Sequence, residues 1–336
     1  MITLKTPDGK LNLREIVPPV IMLLLIVFVA FWPSFDELIV IRGNRMLPLV
    51  ILAVSWNLFS SPTRYISLAS AAFYGLGLYV ATFTFEFLPL PVMALFGGAA
   101  SFVLAYLIGS ITLRLRGVYF TIFTFGVLEL LRNLINWILM RFTNNIGRFV
   151  RTDMSAAQLN LTVYHHLLGV LVILVIVAFI IKRSRYGKAL VSIGESEDAA
   201  AHVGVNTTLL KVTMFAVSAF FMGAAGAVVA MTRRYVDPTT AFNMDYSFLP
   251  ILMVIFGGTR NIAGPIIGAI VFTQLQTVLI TRYPIVYPIS IGLVMILVIL
   301  FLPGGIIGLG YNIFEKIAAK VKKRIKKEEV ADYDDA

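Results

Sequence analysis

The sequence has no cysteine, so it cannot build a disulfide, a thiolate metal site or a cysteine nucleophile. Histidine is scarce too. Two of the three histidines, His165 and His166, are neighbours that point to different faces of a helix and make a poor metal pair. Charge is thin: 14% of residues are Asp, Glu, Lys or Arg. No G-x-x-x-x-G-K-[ST] run occurs, which excludes a P-loop ATPase site in this chain. Gly75-x-Gly77 lies inside an apolar segment with no strand before it, so it is not a phosphate loop. No catalytic triad or metal-ligand cluster stands out.

Apolar residues are abundant instead. They make up 59% of 336 residues, more than a soluble domain of this size can hide. Several runs approach or exceed the ~20 apolar residues that span a bilayer. The fold class is therefore all-α, a polytopic helical membrane protein with about ten transmembrane helices. A β-barrel would show short alternating segments instead. The net charge of +10 collects at the edges of the apolar runs. It reads as topology and contact with anionic membrane lipids, not with nucleic acid.

Residues 1–15 form a polar, mildly basic N-terminal segment, and 16–310 the transmembrane domain. The first span, Ile16–Phe35, opens on Pro18-Pro19 and is too long for a signal peptide. A short loop carries Asp36, Glu37, Arg42 and Arg45. A second span covers Met46–Ser60 and is broken at Ser61-Pro62. The third segment, Tyr65–Phe85, is rich in small residues suited to close helix packing or to a solute path. Further spans are expected at Val92–Leu113, Val118–Met140, Val163–Ile181 and Val212–Met231, with residues 141–161 as a polar loop. Glu129 and Arg132 sit three apart in one span and so on one face. Such a pair is a structural ion pair or a functional one. Ser247–Phe256, ending in Gly257-Gly258, is too short for a comfortable span. With Gly264-Pro265-x-x-Gly268 it suggests a hairpin or a discontinuous helix. The last span is Ile285–Leu302. Residues 311–336 form a basic tail whose Tyr311–Lys327 stretch has amphipathic spacing. The excess of Lys and Arg places both termini in the cytoplasm.

The polar loop 182–211 is the longest designed interruption. Lys182, Arg183, Arg185 and Lys188 mark it as cytoplasmic. Ser196 is a candidate N-cap, Glu197 and Asp198 load the first helical turn, and Gly204 sits where a helix would stop. A short capped helix between two spans is either a docking knob or one turn in a solvated loop.

Several stretches, in order, resemble the permease subunits of branched-chain amino acid ABC importers. The resemblance covers most of residues 46–308. Asp198-Ala199-Ala200-x-x-x-Gly204 resembles the coupling motif of ABC importer permeases, with Asp in place of Glu. SLASAAFYGLGLY, LRLRGVYFTIFTFGVLELLRN, GGTRNIAGPIIGA, and Pro238 with Phe242 and Ser247 resemble further signature stretches. There are departures. Arg64-Tyr65 stand where related chains usually have Gly-Gln, Ala69 replaces a usual glycine, Gly194 replaces a usual arginine, and Val118 replaces a usual acid.

The resemblance implies a permease-like bundle that translocates branched-chain or other small amino acids across the cytoplasmic membrane. It implies a second homologous permease subunit, two cytoplasmic ABC ATPases that use ATP and Mg, and an extracytoplasmic solute-binding protein. This chain itself would bind no cofactor and no metal and would not be an enzyme. Glu195, Glu197, Asp198, Ala199, Ala200 and Gly204 are the coupling candidates, and Ser67, Ser70, Gly257 and Gly258 the path candidates. Urea or amides as solutes, an ion-coupled secondary transporter resting on Glu129 and Arg132, and a membrane scaffold are the alternatives.

Overall fold

The structure, a computed structural model, describes residues 37–152, 154–259, 261–301, 305, 306 and 308. The expected span at 16–35 and the amphipathic tail at 311–327 lie outside the described residues. Two compact units divide the chain, one up to Ile251 and one from Leu252. Among the described residues, seven helical stretches are long and apolar enough to cross a membrane.

The first unit begins with α1, Glu37–Thr63. It starts nine residues before the expected Met46 and runs through Pro62, so the supposed loop at 36–45 is helical from Glu37. The cause is packing. A Cβ at Gly43 would strike the Tyr164 ring, so glycine lets α5 (Ala156–Arg183) lie against this turn. Asn44 Nδ2 donates to the Asn160 carbonyl at 2.8 Å. Helix α5 also starts earlier than expected, because Ser155 caps it by accepting from the Gln158 N–H.

Helix α2 is Ser70–Thr84, shorter than the apolar run that contains it. Residues 64–69 are not helical. Then come α3 (Leu90–Thr112) and α4 (Val118–Thr143). A two-residue strand β1 (Arg148–Phe149) pairs antiparallel with β2 (Tyr235–Val236). Between α5 and the next span lie α6 (Arg185–Glu195) and α7 (Glu197–His202), followed by α8, Thr207–Ala230.

Helix α8 is the axis of this unit, flanked by α1, α2 and α3. Its Gly223 and Gly226 approach Gly77 and Tyr74 of α2 so closely that a Cβ at Gly77 would strike the Gly223 carbonyl. Ser101 of α3 donates to the Phe73 carbonyl at 3.0 Å. The small residues of 65–85 thus serve close packing here. Short α9, Pro238–Ala241, precedes α10, Asp245–Gly257, which runs into the second unit.

In the second unit α10 ends at a left-handed Gly258, φ +104°. Helix α11, Ala263–Arg282, folds back against it, and a Cβ at Gly257 would meet the Gly264 carbonyl. This is the hairpin expected from the glycine break. Helix α12, Tyr287–Phe301, follows.

Candidate functional site

Among the parts of the first unit that depart from plain spanning helices are the non-helical segment 64–69 and the polar platform α6–α7. They meet at one end of α1.

Segment 64–69 opens with Arg64 in the left-handed region, φ +59°. A non-glycine residue there is strained by about 1–3 kcal/mol. The chain then stays non-helical up to Ala69, φ −87° and ψ 5°. Non-helical backbone at membrane depth must find partners within the protein. Side chains supply them. Trp56 Nε1 donates to the Ser67 carbonyl at 2.9 Å, and Thr121 Oγ1 to the Ile66 carbonyl at 2.9 Å. Thr124 Oγ1 accepts from the Leu68 N–H at 3.0 Å. Ser247 Oγ donates to the Leu68 carbonyl at 2.6 Å and accepts from the Ala71 N–H at 3.1 Å. The path candidates Ser67 and Ser70 are buried here. Ser67 Oγ accepts from the Ala69 N–H, whereas Ser70 Oγ has no partner among the described residues. Gly257 and Gly258 sit in the second unit, at the tight α10–α11 turn.

The platform begins with α6, which Ser184 caps by accepting from the N–H groups of Tyr186 and Gly187. Gly187, Leu190 and Ile193 form its buried stripe. A Cβ at Gly194 would strike the Pro62 carbonyl, so α6 touches α1 backbone to backbone. This helix is absent from the reading of the sequence, although Ser184 and the three-residue spacing of its buried stripe are its signal.

Helix α7 begins and ends where the cap residues place it. Ser196 Oγ accepts from the Ala199 N–H at 3.3 Å. Gly204, φ +87°, closes the helix as the Val205 N–H reaches back to the Ala200 carbonyl at 3.1 Å. Of the coupling candidates, Ala200 is buried, while Glu195, Asp198, Ala199 and Gly204 are exposed.

Glu197 is turned inward. Its Oε1 accepts from Lys211 Nζ at 2.5 Å and its Oε2 from the Tyr65 hydroxyl at 2.6 Å. Lys211, in the second turn of α8, is 1% exposed. Its other hydrogen bonds go to the Tyr65 oxygen at 3.2 Å and the Leu113 carbonyl at 3.0 Å. An ammonium has three donors, and all three are used. The charge also lies 4.6 Å from the centre of the Tyr65 ring. Beneath it Phe59, Phe120 and Phe215 pack with centroids 5.1–6.3 Å apart. At the rim, Arg116 Nη2 donates to Asp198 Oδ1 at 2.8 Å.

The network sets the proton affinities. Burial pushes the Glu197 carboxyl up, but the bonds from Lys211 and Tyr65 outweigh it and hold the group below its usual range. The bond from Arg116 lowers exposed Asp198 likewise. Burial, then the bond to Glu197, pushes the Tyr65 phenol well up, so it remains a donor. The arrangement ties α7 to segment 64–69, to α8 and to the end of α3 by one closed set of bonds. Lys211 and Tyr65 were not singled out as site residues from sequence. A lysine inside an apolar helix was the available signal.

What remains open on the platform is an outer surface with exposed apolar residues. Tyr186, Val191, Val203 and Leu209 are 52%, 49%, 80% and 54% exposed.

The profile of a family described as the branched-chain amino acid transport system permease component matches residues 42–303. The chain is 24% identical over 327 residues to the high-affinity branched-chain amino acid transport system permease protein LivM of Salmonella typhimurium, covering 85% of this chain and 74% of that protein. It is 25% identical over 201 residues to the autoinducer 2 import system permease protein LsrC of Yersinia pestis, covering 55% of this chain and 56% of that one. It is 23% identical over 133 residues to the L-arabinose ABC transporter permease protein AraH of Azospirillum brasilense, covering 38% of this chain and 39% of that one. No solved structure matches.

Proposed function

The chain belongs to the branched-chain amino acid transport permease family, and from that premise we propose that it is the membrane subunit of an ATP-driven importer of branched-chain or other small amino acids. It is a multi-pass membrane protein and a transport permease. The observation that carries the finer reading is the α6–α7 platform. A capped helix with an exposed outer surface is tied through Glu197, Lys211 and Tyr65 to segment 64–69 and α8. A push on α7 is thereby a push on the packed helices, the kind of rigid shift that switches a transporter.

In this reading the platform faces the cytoplasm, where Lys182, Arg183, Arg185 and Lys188 satisfy the positive-inside rule. Two ATPases dock on it and supply ATP hydrolysis with Mg, and a homologous permease completes the bundle. The opposite face carries the β1–β2 pair. There Arg148 lies 4.1 Å from the Phe83 ring and Phe149 packs on Tyr235 at 4.9 Å. We assign this ordered rim to the extracytoplasmic solute-binding protein.

The test is mild-detergent purification of the tagged chain from its native membrane, with mass spectrometry of what accompanies it. Co-purification of a P-loop ATPase and a second permease is the expected result. A chain that purifies alone, with flux in liposomes driven by an ion gradient, would replace this reading with secondary transport. The names of LsrC and AraH favour asking about the solute separately. Uptake of leucine set against urea, an amide and a pentose by the assembled transporter answers it.

A further inference from the structure

Glu129 and Arg132 take no part in the coupling network. Helix α4 has 26 residues and is about 39 Å long at 1.5 Å per residue. Each of the two charges lies eleven residues from an end of it, so they straddle its midpoint. Arg132 Nη2 and Glu129 Oε2 are 2.5 Å apart. The two side chains stay 32% and 26% exposed. The other carboxylate oxygen, Glu129 Oε1, is buried with no partner among the described residues.

The pair belongs to a stripe. Gly126, Glu129, Asn133 and Asn136 recur at three- and four-residue spacing, with Arg132 one turn from Glu129. Gly126, Asn133 and Asn136 are exposed. A Cβ at Gly126 would meet nothing within 4 Å, so the surface is open one turn from Glu129. Hydrocarbon cannot cover this stripe cheaply, because a charge at the centre of a spanning helix costs about 2.5–3.5 kcal/mol on insertion scales. The stripe occupies the middle of α4, from Gly126 to Asn136, with the two opposite charges within it.

We propose that Glu129 and Arg132 receive the α-ammonium and α-carboxylate groups of the transported amino acid at the middle of the membrane. The proposal rests on the amino acid reading above. A zwitterion is the same pair of charges in reverse. Its entry exchanges one ion pair within the protein for two between protein and solute, and adds no net charge to the membrane interior. The guanidinium offers a fork matched to a carboxylate, and Glu129 Oε2, once released from Arg132, is the acceptor for the ammonium. A solute lacking either charge leaves one protein charge without its partner, a costly state at low dielectric. The side chain of the solute is left to the apolar surroundings, which suits leucine or valine.

The absence of cysteine makes a direct test possible. Asn133→Cys and Asn136→Cys are made singly in the assembled transporter and exposed to a water-soluble thiol reagent, with labelling of this chain read by mass spectrometry. Leucine is then added as the probe. The expected result is that both cysteines react, that leucine slows the reaction, and that Arg132→Gln abolishes this protection. Arg132→Gln and Glu129→Gln also lower leucine uptake about ten- to a hundredfold, the factor a lost charge-assisted bond represents. If the wild-type transporter imports leucine but the cysteines do not react, or react without protection, the site assignment falls and the amino acid reading stands. If Glu129→Gln or Arg132→Gln prevents the second permease from co-purifying, the pair is a subunit contact and the assignment falls. If the wild-type transporter imports no amino acid, the reading falls and the assignment with it.

Discussion

Two charged pairs of this chain meet opposite fates. Lys211–Glu197 is sealed beside the platform, with the ammonium making all three of its hydrogen bonds and the carboxylate using both oxygens. Glu129–Arg132 lies at the middle of α4, partly exposed, with one carboxylate oxygen unpartnered among the described residues. The first has nothing left to offer a ligand, and its geometry joins four segments of the chain. The second spans a single helical turn and, among the described residues, joins no other element. A saturated buried network fixes a structure, whereas an unsaturated exposed one can exchange partners.

This contrast can be broken at the saturated end most severely. Lys211→Met leaves Glu197 buried without its cation and should cost about 3–5 kcal/mol. Thermal unfolding of the purified protein should show the loss. Adding Glu197→Met should restore much of it, because an apolar pair of similar volume replaces the ion pair. Uptake should remain low in the double variant, since α7 is then no longer tied to Tyr65 and α8. Full uptake in that variant would show that the network is scaffold alone.

Gly204→Val sharpens the comparison without touching a charge. The residue meets nothing within 4 Å, so only its φ of +87° is at stake. The strain should be about 1–3 kcal/mol, felt at the end of α7. The variant should reach the membrane and assemble, but import slowly. Uptake at the wild-type rate would detach the end of α7 from coupling.

Acid should separate the two pairs by the smallest margin. Glu197 has a lowered carboxyl pKa in the folded protein. It therefore contributes stability above its unfolded value, about 4.3, and loses it as pH falls through the lower folded value. The midpoint of unfolding should fall more steeply below about pH 4.3 in the wild type than in Glu197→Gln. Parallel curves would mean that the network does not set this acid sensitivity.

The sequence displays the spans and the start and stop of α7 well, because both are local. Apolar length announces a membrane helix, and Ser196 and Gly204 are cap residues acting on their own turns. It conceals what depends on distant partners. Tyr65 and Lys211 are 146 residues apart, and no periodicity connects them. Residues 65–69 read as the start of a helix because they run straight into the apolar, small-residue stretch that follows. Their backbone stays non-helical because Trp56, Thr121, Thr124 and Ser247 satisfy it from elsewhere. Arg64 compounds this: it occupies a left-handed position where glycine would advertise the turn. The loop expected at 36–45 errs in the other direction, since charge at the start of α1 masks a helix that α5 holds in place.

Segment 64–69 also has a consequence for biogenesis. Its Leu68 carbonyl is satisfied by Ser247, which lies 179 residues further along the chain. At about 5–20 residues per second, the ribosome needs roughly 9–36 s to make the intervening chain. Throughout that interval the peptide groups of 66–68 lack part of their final complement of partners and cannot rest in hydrocarbon without cost. The last of its hydrogen bonds therefore closes only once Ser247 of α10 has been made. Completion of this short stretch is a late event in a process that otherwise proceeds from the first helix onward. A nascent chain halted before Ser247 would be left with the Leu68 carbonyl lacking this donor.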